Sequence, residues 1–387
     1  MRKRSNQSPR TLATKKTMTT QTHHEKMSPS AHQPSTSTLP PPPPPPTTLI
    51  PPVILQPGVE KLDTPISLPS STTFPPPSFL HPIQTNSHPL PQIIAHRGYK
   101  SKFPENSLLA FSQAILAGSH ALETDIHLTA DNIVVLSHDP TLKRCFGRPE
   151  RILDLTWDDI SPLRTVAEPH VPMPRLIDLL HYLSSPGLED IWLLLDIKLD
   201  NDAEDVMRLI ASTIASVPVA YGRKPWEQRI VLGIWAAKYL PLASQFSPNF
   251  SVMHIGFKLS YARHFFDTPG VGFNMLLPIL MAPGGRKFIR EVQSRRRKLV
   301  VWTVNDRGKM EWCVRRGVDG VITDDPGLFL EVCETFEWEK REPWFGGGGV
   351  KGWLEVLRVW VMVTCLWVLF RRRLSPIRKG AERGEVR

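Results

Sequence analysis

From Pro91 to residue 332 the sequence alternates short β-rich runs with helical stretches, and few folds accept that rhythm for so long. The candidate strands are Gln92–His96, Ala121–His127, Ile133–Ser137, Ile191–Ile197, Arg229–Ile234, Ser251–Gly256, Gly272–Leu277, Leu299–Val304 and Gly320–Thr323. Helical patterns cover 107–117, 176–183, 203–216, 236–245, 286–296 and 309–316. Such an α/β repeat predicts a TIM (β/α)₈ barrel. Nine runs is one too many for eight strands. Only Leu128–Asn132 separates the second from the third, too short for a helical crossover between parallel strands. That pair is therefore expected to form a hairpin at the barrel mouth.

The flanks have a different composition. The chain of 387 residues carries 47 Lys+Arg against 37 Asp+Glu, a formal charge of +10. Residues 1–90 hold 20 of the 39 Pro with 8 basic and 3 acidic residues, whereas 91–332 hold 28 basic and 27 acidic. A nearly neutral centre between basic ends argues against a nucleic-acid recognition face. The run Pro40–Pro46 in a Ser/Thr/Pro background buries too little apolar surface to order, so 1–90 is expected to be a disordered arm. Its acid-free start, with Arg2, Lys3, Arg4, Arg10, Lys15 and Lys16, reads either as a mitochondrial targeting peptide or as a solvated basic tail. No apolar stretch of secretory type follows. Four cysteines, Cys145, Cys313, Cys333 and Cys365, lack paired spacing, which excludes a zinc ribbon or disulfide scaffold and suggests a reducing compartment.

Beyond a linker at 333–352, the segment 353–370 is apolar apart from Glu355, Arg358 and Thr364, and it precedes Arg371-Arg372-Arg373 in a basic tail, 371–387. Five of the eleven Trp lie in the last 55 residues. This pattern predicts membrane attachment, as a transmembrane helix or lying in the interface, with the barrel facing the cytosol at mitochondrion, lipid droplet or endoplasmic reticulum. The competing arrangement is a terminal helix packed on the barrel.

In a barrel, functional side chains come from the C-terminal ends of strands. His96 closes the first strand and precedes Arg97-Gly98; Glu123 and Asp125 share a face of the second; His138-Asp139 follows the third. Asp196 and Lys198 share a face at the end of another strand. Three carboxylates without sulfur suit a hard cation, Mg²⁺ or Ca²⁺. Two histidines can serve as acid and base, and Arg97 and Lys198 supply charge for a phosphate. His127 shares the face of Glu123 and Asp125, as a site residue or a plain rim residue.

These residues resemble a family. His96-Arg97-Gly98, Pro104-Glu105-Asn106-Ser107, Leu122-Glu123-Thr124-Asp125, Leu128-Thr129-Ala130-Asp131, His138-Asp139, Asp196-Ile197-Lys198, Trp302-Thr303-Val304-Asn305 and Ile322-Thr323-Asp324-Asp325-Pro326 occur in the order of the glycerophosphodiester phosphodiesterase family. Within it, His96–Lys100, Leu232-Gly233-Ile234-Trp235 and the apolar tail look most like the fungal branch typified by phosphatidylglycerol-specific phospholipase C. The resemblance implies a metal-dependent barrel of the phospholipase-C-like type, with Glu123, Asp125 and Asp196 on the metal and His96 and His138 as acid and base. It also implies Arg97 and Lys198 on the phosphate and Trp302 in substrate contact. Asp196 stands where many members have the longer Glu. Asn132 replaces a usual turn Gly, which Asn tolerates, and Ser107 is a conservative N-cap. The expected reaction is cleavage of phosphatidylglycerol to diacylglycerol and glycerol phosphate. The alternatives are a phosphodiesterase acting on soluble glycerophosphodiesters and an idle, membrane-tethered barrel.

Overall fold

The computed structural model describes residues 72–84, 88–220, 222–339, 350–370 and 374. Most of the expected N-terminal arm, part of the linker and the basic tail apart from Leu374 lie outside these residues.

The strands are β1 (Gln92–His96), β2 (Ala121–Leu128), β3 (Val134–Leu136), β4 (Trp192–Ile197), β5 (Ile230–Ile234), β6 (Ser251–Gly256), β7 (Gly272–Leu276), β8 (Leu299–Trp302) and β9 (Gly320–Thr323). Eight pair in parallel around a closed ring, β1-β2-β4-β5-β6-β7-β8-β9, and β9 returns to β1. β3 is antiparallel to the end of β2, so the ninth run forms the expected mouth hairpin. Its turn uses Asn132 in the left-handed region, at φ 65°.

Alternation along each strand sorts the residues. Ile94, Ala121, Leu194, Val231, Met253, Val300 and Ile322 fill the barrel interior. Ile93, Leu122, Leu193, Leu232, Val252, Phe273 and Val301 face the surrounding helices. Those helices include Leu108–Leu116, Leu176–Leu183, Ala203–Ala215, Tyr239–Phe246, Gly285–Ser294, Arg307–Arg316 and Pro326–Glu334. Ser107 caps the first of them, accepting from the Ala110 N–H.

Chain upstream of Pro91 closes the floor. Leu80 is fully buried with the interior cluster, and the Phe79 and Trp192 rings lie 5.5 Å apart. Gln92 Nε2 donates to the Phe79 and His81 carbonyls at 2.8 and 3.0 Å, while its Oε1 accepts from Trp192 Nε1 at 2.7 Å. Among the described residues, this packing fills the barrel interior at the N-terminal ends of the strands.

The C-terminal segment corrects the transmembrane expectation. Val350–Phe370 is helical, yet no helix among the described residues is long and apolar enough to cross a membrane. Lys351, Glu355 and Arg358 interrupt its first half, and the charge-free remainder, Val359–Phe370, spans only about 18 Å of a bilayer core about 30 Å thick. Val363, Leu366 and Trp367 pack against the barrel's hydrophobic core instead. Lys258 Nζ stands 3.4 Å from the Trp367 ring centroid, and the Tyr261 ring is 6.2 Å from it.

Candidate active site

Strand register gathers the rim residues. His96 pairs with Glu123 across β1 and β2, and Asp125 pairs with Asp196 across β2 and β4. Glu123, Asp125 and Asp196 all point inward, and one carboxylate oxygen from each lies within 4.8 Å of the other two. All three are buried, at 4%, 1% and 6% exposure. Burial and the neighbouring Asp125 and Asp196 push Glu123 well above the usual carboxylate range. Burial would raise Asp125 too, but Lys198 and Arg97 hold it well below that range. Three crowded, dry carboxylates with an all-oxygen donor set fit a hard divalent cation.

The turn after β1 builds one wall. Arg97 and Gly98 both have left-handed backbones, at φ 56° and 81°. A Cβ at Gly98 would meet the Ala110 carbonyl carbon at 2.6 Å, so the helix after the turn can approach only a glycine. This turn aims the Arg97 N–H at Glu123 Oε2, 3.0 Å away. The Arg97 guanidinium pairs with Asp125 Oδ2 at 3.1 Å and with Glu105 Oε1 at 2.9 Å. Lys198 Nζ bridges Asp125 Oδ1 at 2.7 Å and Asp196 Oδ2 at 2.6 Å. Both cations expected to meet phosphate are thus committed to carboxylates in this structure.

Each histidine has its own carboxylate. His96 Nδ1 lies 2.5 Å from Asp324 Oδ1, and His138 Nδ1 lies 2.8 Å from Asp139 Oδ1. Burial lowers the pKa of both imidazoles. Burial acts to raise the two aspartates, but their ionic and hydrogen-bonding partners outweigh it and bring each down to about 2. Asn305 donates to Asp324 Oδ2 at 2.9 Å, and its Oδ1 accepts from the Asp324 N–H at 2.9 Å. Arg144 Nε donates to Asp139 Oδ2 at 2.7 Å, and its terminal nitrogens grip both oxygens of Glu105. His127, buried on β2, lies 3.2 Å from the His138 carbonyl and 3.2 Å from Asp200, which makes it a support for the His138 loop.

Trp302, half-buried, meets Trp235 edge-on with centroids 5.6 Å apart, forming an aromatic wall beside the carboxylates. Trp235 Nε1 donates to Asp196 Oδ1 at 2.6 Å. Asn106 Nδ2 donates to Asp125 Oδ2 at 2.8 Å.

Sequence reading assigned no role to Asp324, Arg144, Asn106 or Trp235. Asp324 carried a signal, since it directly follows the end of β9 and shares the inward parity of Ile322. Arg144 carried none, because its carboxylate partner Glu105 is 39 residues away.

The sequence profile of the glycerophosphoryl diester phosphodiesterase family matches residues 96–328. A glycerophosphodiester phosphodiesterase of Caldanaerobacter subterraneus is 24% identical over 254 residues, covering 62% of this chain and 96% of the relative. Among solved structures, a putative glycerophosphoryl diester phosphodiesterase from Silicibacter pomeroyi superposes with a TM-score of 0.57 at 21% identity, covering 65% of this chain and 95% of that one. An Oleispira antarctica phosphodiesterase in complex with the product sn-glycerol-3-phosphate gives a TM-score of 0.52 at 18% identity, covering 64% and 98%.

Proposed function

The chain belongs to the glycerophosphoryl diester phosphodiesterase family, and from that membership we propose that it hydrolyses glycerophosphodiesters to glycerol phosphate and the free alcohol. One observation carries the proposal: the buried carboxylate triad is accompanied by two histidines from the same rim, each held by its own aspartate. The product complex of the Oleispira relative supports glycerol phosphate as the group retained.

Glu123, Asp125 and Asp196 would hold the divalent ion, which supplies charge neutralisation at the phosphate oxygens. A glycerol hydroxyl beside the phosphate is an internal nucleophile, favoured by proximity over water. His96 takes its proton as the hydroxyl oxygen bonds to phosphorus and the bond from phosphorus to the leaving oxygen breaks. His138 protonates that leaving alkoxide. Water then opens the cyclic phosphate with the two roles exchanged. His96 is nearly enclosed, while the His138 side chain is 37% exposed, which suits the group that must meet a variable leaving alcohol. Arg97 and Lys198 supply positive charge at the phosphate, and Trp302 lines the alcohol side.

The test is direct. The full chain, incubated with glycerophosphocholine and Mg²⁺, should release choline and glycerol phosphate, and His96→Ala and His138→Ala should each remove most of that activity. Release of phosphocholine, or equal turnover by both variants, would sink the proposal.

A second, finer reading has its own support. The C-terminal helix packs on 258–261 and 277–281, segments that follow β6 and β7 at the substrate-side rim. Its other side leaves Leu357, Val361, Val368 and Leu369 exposed beside the mouth. This favours phosphatidylglycerol at a lipid surface, cleaved to diacylglycerol and glycerol phosphate as in the fungal phospholipase C branch. Vesicles of phosphatidylglycerol offered against glycerophosphocholine would separate the readings, and preference for the soluble diester defeats this one.

A further inference from the structure

The three triad carboxylates are not equivalent on their two oxygens. In each, one oxygen is held by a donor that belongs to the barrel frame. Glu123 Oε2 accepts from the Arg97 backbone N–H at 3.0 Å. Asp125 Oδ2 accepts from Asn106 Nδ2 at 2.8 Å and pairs with the Arg97 guanidinium at 3.1 Å. Asp196 Oδ1 accepts from Trp235 Nε1 at 2.6 Å. Lys198 marks where the other oxygens point: its ammonium sits on Asp125 Oδ1 and Asp196 Oδ2, the two that Asn106 and Trp235 leave open. A cation entering the triad therefore meets one oxygen per carboxylate.

Ion size makes this arrangement selective. Mg²⁺ takes six ligands in a near-octahedral shell at about 2.0–2.1 Å, keeps several waters and accepts carboxylates one oxygen at a time. Ca²⁺ takes 6–8 oxygens at about 2.3–2.6 Å and reaches that number by chelating carboxylates with both oxygens. Tying three oxygens away removes the option that Ca²⁺ uses.

Trp235 is the decisive tie. The Arg97 N–H is backbone, and Asn106 shares Asp125 with Arg97, but among the described hydrogen bonds only the indole holds Asp196 Oδ1. The ring is itself fixed, edge-on to Trp302 at 5.6 Å and tilted on Phe257 at 6.3 Å. The donor therefore cannot follow Asp196 if the carboxylate turns to chelate.

We propose that Trp235, by holding Asp196 Oδ1, keeps the triad a cradle of one oxygen per carboxylate and sets its preference for Mg²⁺ over Ca²⁺. Trp235 acts through Asp196 and is a positioning residue. The inference rests on reading the triad as the metal centre of a phosphodiesterase, but its test uses no substrate, so a wrong substrate assignment would leave the result intact.

Mg²⁺ and Ca²⁺ are titrated separately into the EDTA-stripped full chain and into Trp235→Phe, with binding read by calorimetry and by thermal shift. Phenylalanine keeps an aromatic ring between Trp302 and Phe257 and removes the donor. The unmodified chain should bind Mg²⁺ more tightly than Ca²⁺. Trp235→Phe should weaken Mg²⁺ about tenfold or more, the usual effect of losing a partner of a metal ligand. It should weaken Ca²⁺ less, so that the preference narrows or reverses. Equal or tighter Ca²⁺ binding by the unmodified chain overturns the proposal without any substitution, and so does an unchanged Mg²⁺ affinity in Trp235→Phe.

Discussion

Asp324 Oδ1 lies 2.5 Å from His96 Nδ1, joining the end of β9 to the end of β1 across the seam where the barrel closes. The bond fixes the ring's orientation and assigns its Nδ1 to the aspartate, leaving Nε2 for chemistry. Asn305 holds the aspartate in turn through its other oxygen. Asp324→Asn preserves shape but weakens that hold. It should lower kcat by at least about tenfold, bounded by the 10²–10⁴-fold that proton transfer through a positioned histidine contributes. Metal affinity should stay unchanged, because Asp324 is not one of the clustered carboxylates. Steady-state kinetics beside a metal titration checks both halves, and equal loss of metal binding would refute the positioning role.

The triad makes a second prediction about stability. Glu123, Asp125 and Asp196 repel one another when buried and ionised, and a bound cation removes that repulsion. A ligand that binds only the folded chain, at a concentration a hundredfold above its dissociation constant, stabilises it by about 2.7 kcal/mol. Saturating Mg²⁺ should therefore raise the melting temperature of the EDTA-stripped chain, and Asp196→Asn should remove most of the rise. An equal Mg²⁺ shift in Asp196→Asn would place the ion elsewhere.

Much of this was readable before the structure. Strand and helix alternation gave the barrel, and the gap at Leu128–Asn132 gave the hairpin, because loop length alone decides between antiparallel and crossover connections. His96, Glu123, Asp125, His138 and Asp196 were legible because strand ends and inward parity are local properties. The floor was not. Phe74 and Leu80 sit in a proline-rich stretch that looks unable to order, and their burial is granted only by the barrel they close. The terminal helix departs from the transmembrane expectation for a related reason: Val363, Leu366 and Trp367 are equally suited to lipid and to a hydrophobic groove on a protein. Arg144 and Trp235 act on partners 39 residues away, a separation at which no periodic pattern exists.

Gly98 offers a test of the turn that carries Arg97. At φ 81°, with the Ala110 backbone 2.6 Å from where a Cβ would stand, alanine has neither the conformation nor the space. Gly98→Ala should cost at least about 1–3 kcal/mol, the usual range for backbone strain of this kind, with the steric clash adding to it. It should also weaken metal binding, because displacing the turn moves the Arg97 N–H from Glu123 Oε2. Urea denaturation and metal titration give the two numbers, and a variant with parental values in both would show that the turn does not position the triad.

His254, fully buried on β6 and stacked on Phe265 at 4.0 Å, predicts a pH dependence unconnected with catalysis. Burial drives its pKa down from 6.5 to about 3. The unfolded chain takes up a proton as pH falls through 6.5, whereas the folded chain takes none there until about 3. Stability attributable to this residue is therefore complete above 6.5 and is lost progressively between 6.5 and 3. At pH 5 the loss amounts to about 2 kcal/mol. His254→Leu, similar in volume and unable to titrate, should change stability between pH 7.5 and pH 5 by about 2 kcal/mol less than the parent chain does. Urea denaturation at the two pH values measures that difference. A parental pH response in His254→Leu would mean that the imidazole takes up its proton in the folded barrel over the same pH range as in the unfolded chain.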